Sequence, residues 1–139
     1  MTYGRVKIKI IGWQTMGEET DTTVVDTEGE SFENAEGCII EYIEQPAENM
    51  KVQNKITISG GKAVISKSGA VESEMIFIPG ETSAVEYQTP YGMIDMQIKC
   101  KSLNVYEEDC KSRIVITYDL YSGEQSVTQC NTEIQLLPF

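Results

Sequence analysis

The sequence predicts an all-β protein, a single antiparallel up-and-down barrel of roughly ten strands. Apolar and polar residues alternate over many short segments, as in strands that bury one face. Turn-forming residues separate these segments at intervals of about eight to twelve residues. No stretch repeats apolar residues at helical spacing for long enough to form a helix. Short sequential hairpins favour pairing of each strand with the next, and closure removes exposed sheet edges, so a barrel is favoured over a sandwich.

Six strands are predicted in the first part of the chain, each bounded by turn residues. In chain order they cover 6–10, 20–32, 38–43, 52–58, 63–67 and 71–77. Gly60 and Gly61 predict a two-residue hairpin turn of the primed type, which needs positive φ at both central positions. Trp13 shares the parity of the lysines in the first strand unless Gly12 marks a bulge.

The best-defined element is a hairpin over residues 85–100. Pro90 fixes φ near the value for the second position of a type I turn, and Gly92 can take the left-handed conformation that follows. This pattern predicts a hairpin with a small bulge beside the turn. The apolar residues that share one face after the turn are Ile94, Met96, Ile98 and Cys100.

The last part of the chain predicts three more strands. A weaker strand over 103–106 leads into an acidic turn at 107–109, and a strongly alternating strand covers 114–120. Ser122 and Gly123 then turn the chain into a last strand that ends near Leu137. Because one strand pattern continues throughout, we expect a single domain over residues 1–139.

Composition excludes several classes of function. Eleven Lys and Arg residues against 22 Asp and Glu residues give a formal net charge of −11, which disfavours nucleic-acid binding. The chain has no histidine, which removes Ser-His-Asp and Cys-His catalysis and imidazole metal sites. No apolar run approaches the ~18 residues of a membrane span, and no signal peptide opens the chain, so we expect a cytoplasmic protein.

The four cysteines contain no C-x-x-C pair. They are Cys38, Cys100, Cys110 and Cys130, and their spacing does not suit structural zinc. Reduced thiols are the expected state in the cytoplasm, and a bridge between Cys100 and Cys110 is the less favoured alternative. We therefore predict no metal and no cofactor.

Residues spread over nearly the whole chain match a known family pattern. They are Gln14, Thr27-Glu28-Gly29, Tyr42, Glu44, Gly69, Ser73-x-Met75-x-Phe77, Gly80, Tyr87-x-Thr89-Pro90-Tyr91-Gly92 and Tyr118-x-Leu120. On these residues the chain resembles the YwiB-like family, small proteins of unknown function from Gram-positive bacteria with a calycin-like (lipocalin-like) β-barrel. Lys67 departs from the pattern, which usually shows arginine there. The resemblance implies a barrel fold and a bacterial, cytosolic setting, and it implies no reaction.

Strand parity predicts a set of inward side chains that combines aromatic rings, flexible methionines and polar groups, as ligand pockets do. The predicted ligand-binding residues are Tyr42, Glu44, Lys67, Met75, Phe77, Tyr87, Met96 and Tyr118. The alternative is a filled core in which the tyrosine hydroxyls bond to backbone or water. An inward Lys67 near Glu44 would form a buried pair, which is either structural or orients an anionic head group.

These observations leave three classes of function open. The leading interpretation is a non-enzymatic intracellular barrel, monomer or homodimer, that binds a small apolar or amphipathic ligand. The alternative is an interaction or scaffold module with a filled barrel and an acidic surface that meets a basic partner. A carboxylate-dependent enzyme is the least favoured class, and no catalytic residue is predicted. Trp13 and Tyr91 are candidates for exposed aromatic residues that mark a partner or dimer surface. The alternative for Trp13 is that its side chain plugs one end of the barrel.

Overall fold

The structure is a computed structural model that describes residues 4–89, 92–122 and 125–139. These residues form ten β-strands and no helix. The strands are β1 (Gly4–Met16), β2 (Glu19–Asn34), β3 (Gly37–Ala47), β4 (Met50–Ser59), β5 (Lys62–Gly69), β6 (Ser73–Phe77), β7 (Thr82–Thr89), β8 (Gly92–Glu108), β9 (Lys111–Ser122) and β10 (Gln125–Pro138). In that part of the chain, accordingly, no helix is long and apolar enough to cross a membrane.

The ten strands form one antiparallel sheet in the order β6-β5-β4-β3-β2-β1-β10-β9-β8-β7. Each strand pairs with the next along the chain except at β6 and β7, which contact each other without a hydrogen-bonded ladder. The connection between them is held on β8, because the Gly80 N–H donates to the Cys100 carbonyl oxygen (2.9 Å) and the Cys100 N–H donates to the Glu81 carbonyl oxygen (3.2 Å). The predicted antiparallel up-and-down barrel is confirmed, and it is nearly closed.

β8 differs from the prediction. It runs without interruption from Gly92 to Glu108, so the separate strand expected over 103–106 is its second half. Its ladder with β9 shifts register between Cys100 and Ser102, which lets the long strand bend. The small bulge predicted beside the hairpin turn is absent from the described ladder, which pairs β7 with β8 regularly up to Thr89 and Gly92. The predicted turn residues Pro90 and Tyr91 lie outside the described residues.

Other local predictions can be compared directly. Gly60 and Gly61 have φ of +56° and +77°, as the primed turn requires. The ladders of β1 with both neighbours pass Gly12 without a register shift, so Trp13 lies on the outer face, half-buried, and does not plug the barrel. None of the four cysteines is in a disulfide in the described structure; Cys110 is exposed and the other three are buried.

Buried apolar side chains fill one half of the barrel. This half lies toward the end that carries the 35–36, 60–61, 78–81 and 109–110 connections, where residues 4 and 138 also lie. The side chains that fill it include Val6, Ile8, Cys38, Ile40, Ala63, Phe77, Cys100, Ile114, Ile116 and Leu136. Apolar packing of this kind is the main stabilising contribution in a small barrel.

β2 and β3 separate toward the other end of the barrel. Their ladder runs only from Gly29 opposite Tyr42 to Asn34 opposite Gly37, although both strands continue well beyond Gly29 and Tyr42. At Gly29 the backbones approach so closely that a Cβ atom would overlap the carbonyl oxygen of Glu41. Glycine is therefore required where the two strands begin to diverge.

Candidate functional site

A cavity of about 480 Å³, partly open to solvent, lies inside the barrel beyond the filled half. It lies toward the end that carries the 17–18, 48–49 and 70–72 connections. Most of its wall is apolar, and it is formed by side chains of nine strands, every strand except β2. The lining residues are Ile10, Gln14, Tyr42, Ile56, Ile65, Lys67, Met75, Val85, Met96, Tyr118, Leu120, Thr132 and Ile134. An interior that is apolar with a few polar groups is typical of a small-molecule site.

Two aromatic side chains separate the cavity from the filled half. Phe77 is 1% exposed and does not line the cavity, whereas Tyr118 does. The Tyr118 hydroxyl forms a long hydrogen bond with Thr132 Oγ1 at 3.4 Å. Burial raises the pKa of Tyr118 to about 12, so the ring carries a neutral hydroxyl at physiological pH.

A polar row crosses four neighbouring strands on the inner face of the barrel. It consists of Tyr42, Asn54, Lys67 and Ser73, on β3, β4, β5 and β6. Each residue lies directly opposite the next in the ladders, so all four side chains share the inner face. Tyr42 and Lys67 also line the cavity, whereas Asn54 and Ser73 lie next to Lys67 without lining it.

Lys67, a member of this row, forms an ion pair with Glu44, which lies next to the row. Its Nζ atom donates to Glu44 Oε1 at 3.1 Å, and the two side chains are 25% and 33% exposed. The predicted pair therefore exists, half-buried rather than buried. Burial, together with the negative charge of Glu44, raises the pKa of Tyr42, so its hydroxyl also stays protonated.

Two polar atoms of the row have no hydrogen-bond partner among the residues that the structure describes. The Asn54 side chain is buried, and its Nδ2 atom makes one long bond to the Val52 carbonyl oxygen at 3.4 Å. Its Oδ1 atom and the Ser73 Oγ atom are buried and unpaired. A buried polar atom without a partner is costly, so such atoms are uncommon in folded proteins.

The structure places the predicted residues at different depths. Tyr42, Lys67, Met75, Met96 and Tyr118 lie on the cavity wall. Glu44 lies beside the wall, where it pairs with Lys67. Phe77 lies below the cavity, in the filled half. Tyr87 belongs to β7, but its side chain is outside the described part of the structure.

Sequence reasoning missed several polar residues of the site. Gln14 and Thr132 line the cavity, and Asn54 belongs to the row. Asn54 alternates with Val52 and Ile56 on the inner face, so strand parity could have found it. Among the residues that the structure describes, no carboxylate lines the cavity, and no three Cys, Asp or Glu side chains group as metal ligands do.

Comparison with known proteins agrees with this fold. A family model described as a domain of unknown function (DUF1934) matches residues 8–134. The uncharacterized beta-barrel protein YwiB of Bacillus subtilis (strain 168) is 28% identical over 75 residues, which is 54% of this chain. The match spans about half the length of that relative, 53%. A crystal structure of the ywiB protein from Bacillus subtilis superposes with a TM-score of 0.86 at 20% identity, covering 98% of this chain and 92% of that one. The resemblance to the YwiB-like family is confirmed.

Proposed function

The chain belongs to the DUF1934 family, whose function is unknown, and we propose that it is a non-enzymatic intracellular protein that binds a small, partly apolar ligand inside its barrel. The cavity of about 480 Å³ is the observation that carries this proposal. Its volume falls within the range of roughly 300 to 1,000 Å³ that is usual for small-molecule sites. A wall of isoleucines with a few polar groups suits a ligand whose body is apolar and whose one end is polar.

Two methionines make this wall adaptable. Met75 and Met96 both line the cavity, on strands β6 and β8. Methionine has a flexible, polarisable side chain that fits ligands of different outline. Lipocalin-like barrels of similar strand number commonly hold one small ligand in this position, and the proposal extends that use to this chain.

The intracellular setting is supported by the thiols. None of Cys38, Cys100, Cys110 and Cys130 forms a disulfide within the described part of the chain, and Cys110 is exposed. Free exposed thiols suit a reducing compartment, since oxidising compartments favour disulfides. The alternative of a scaffold module requires a filled interior, so the cavity favours a binding protein over it.

Native mass spectrometry of the protein purified from a bacterial host tests the proposal. The wild-type protein should carry an extra mass that is absent after denaturation. Met96→Trp fills the cavity with a larger side chain, and the extra mass should be lost. Met93→Trp is the matched control, because Met93 is exposed on the same strand, 56% of its surface being accessible.

A second measurement covers a ligand that dissociates during purification. The neutral fluorescent probe N-phenyl-1-naphthylamine should bind the wild type and Met93→Trp, and bind Met96→Trp at least about tenfold more weakly. The unfolding transition of each variant must show that the fold is retained. A wild-type protein that carries no extra mass, and that binds the probe no better than Met96→Trp does, would overturn the proposal.

A further inference from the structure

We infer that the cavity selects an uncharged amphiphile, an apolar body that ends in a hydroxyl or primary amide, and discriminates against anionic amphiphiles of the same length. This inference rests on the proposed function and names the ligand class. It concerns the polar row of Tyr42, Asn54, Lys67 and Ser73 and its neighbour Glu44.

The charge of Lys67 is already neutralised by the protein. Lys67 is the one charged residue among the described residues that line the cavity, and its Nζ atom lies 3.1 Å from Glu44 Oε1. A ligand carboxylate at Lys67 would have to displace Glu44 or lie beside it as a like charge. Both arrangements cost free energy, because a partly buried carboxylate loses its partner or gains a repulsive neighbour.

The unpaired atoms of the row discriminate by hydrogen-bond type. Asn54 Oδ1 is an acceptor without a donor, and Ser73 Oγ is also unpaired. Asn54 and Ser73 are the cross-strand neighbours of Lys67 on its two sides. Both atoms are buried beside Lys67 and not on the cavity wall, so a ligand reaches them where the Lys67 side chain moves aside. A ligand hydroxyl or amide N–H can then donate to Asn54 Oδ1, whereas a carboxylate has no proton to donate. The row therefore complements a neutral polar group that both donates and accepts.

The remaining charges act in the same direction. The formal net charge of −11 repels an approaching anion. Both tyrosines on the wall have pKa values raised by burial, so Tyr42 and Tyr118 are neutral hydroxyl groups at physiological pH. Gln14 and Thr132 are neutral as well, so Lys67 carries the only charge on the described part of the wall.

Three probes of equal chain length test the inference. These are 1-decanol, decanoate and decylammonium, each measured near neutral pH by displacement of N-phenyl-1-naphthylamine. The wild type should bind 1-decanol about tenfold more tightly than decanoate, or more. Met96→Trp should weaken binding of all three probes if they occupy the cavity.

Variants of the ion pair should change this preference in opposite directions. Glu44→Gln leaves Lys67 without its partner and should improve decanoate binding about tenfold, with less than about a threefold change for 1-decanol. Lys67→Gln leaves Glu44 unpaired and should favour decylammonium instead. Glu36→Gln is the matched control, because Glu36 pairs with Lys55 on the exposed surface at 3.6 Å and involves the same change of charge.

The outcomes separate this inference from the proposed function. If no probe binds the wild type in a manner sensitive to Met96→Trp, the proposed function fails for ligands of this kind. If decanoate binds the wild type as tightly as 1-decanol, or Glu44→Gln leaves the preference unchanged, the inference is wrong and the binding function stands. The urea midpoint of every variant must stay near that of the wild type for its affinities to count.

Discussion

The ring of Phe77 meets the ring of Tyr118 edge to face, with centroids 4.8 Å apart and planes inclined by 61°. Rings in this arrangement attract each other beyond the area that they bury. The contact joins β6 to β9 across the interior and divides it, because Tyr118 lines the cavity and Phe77 belongs to the filled half. One aromatic pair thus sets the depth to which a ligand can enter.

Phe77→Ala should strongly destabilise the fold. The change removes a fully buried ring and leaves a void beneath Tyr118, so we expect the free energy of unfolding to fall by about 3 to 5 kcal/mol. Urea unfolding measures the change. Met93→Ala, on the outer face, should alter stability by less than about 0.5 kcal/mol. A Phe77→Ala variant within about 1 kcal/mol of the wild type would contradict this assignment of the filled half.

Gly29→Ala should destabilise the divergence of β2 and β3. The new methyl group would overlap a backbone carbonyl, which cannot rotate away, and we expect a loss of about 2 to 3 kcal/mol by urea unfolding. Gly12→Ala is the control, since a Cβ there meets only the Thr23 Oγ1 atom, at 2.9 Å. Similar effects of the two changes would show that the close approach at Gly29 is relieved in solution.

Asn54→Leu should raise stability and lower affinity. Leucine of similar size removes a buried, unpaired acceptor, so the free energy of unfolding should rise by about 1 kcal/mol. The affinity for 1-decanol should fall, because the hydroxyl group of 1-decanol can no longer donate to Asn54 Oδ1. Gln53→Leu, at an exposed position on the same strand, should leave the affinity unchanged. A clear loss of stability in Asn54→Leu would mean that its amide is satisfied in the native protein.

Alkaline pH should destabilise the protein partly through Tyr118. Its pKa is about 12 in the folded state, against about 10 in the unfolded chain. The stabilisation linked to the neutral hydroxyl is complete below about pH 10 and is lost as the pH rises toward 12, a total of roughly 2 to 3 kcal/mol. Tyr118→Phe should therefore show a shallower fall of stability over that interval, measured by urea unfolding at each pH. Tyr106→Phe, on the exposed surface, is the control, and equal slopes for the two variants would contradict the prediction.

Local patterns predicted the strands because each strand buries one face. The alternation of Ile114, Ile116 and Tyr118 marks β9 from the sequence alone, and the paired glycines at 60 and 61 mark a turn. The two parts of β8 were read as separate strands for a local reason. The register shift at Cys100 and Ser102 moves the next inward residue to Leu103, three positions later, so the alternation breaks although the strand continues.

Depth inside the barrel could not be predicted from alternation. Parity assigns Met75 and Phe77 to the same face, and only the packing of distant strands shows that Met75 lines the cavity while Phe77 lies below it. The pairing of Lys67 with Glu44 was foreseen because both residues are inward-facing and oppositely charged. Parity places Asn54 on the inner face, but it gives no sign that its Oδ1 atom lacks a hydrogen-bond partner, because that depends on the packing around it.

The ladder between β1 and β10 has a consequence for how the chain folds. It joins Val6 to Pro138 and Thr15 to Gln129, the most sequence-distant contacts of the sheet, whereas β6 and β7 are neighbours in sequence without a ladder. A circular permutant that links residue 138 to residue 4 and opens the chain at 78–81 would make every strand pairing a hairpin between consecutive strands. Since folding slows as contacts become more distant in sequence, such a permutant should fold faster than the natural order while keeping the same barrel.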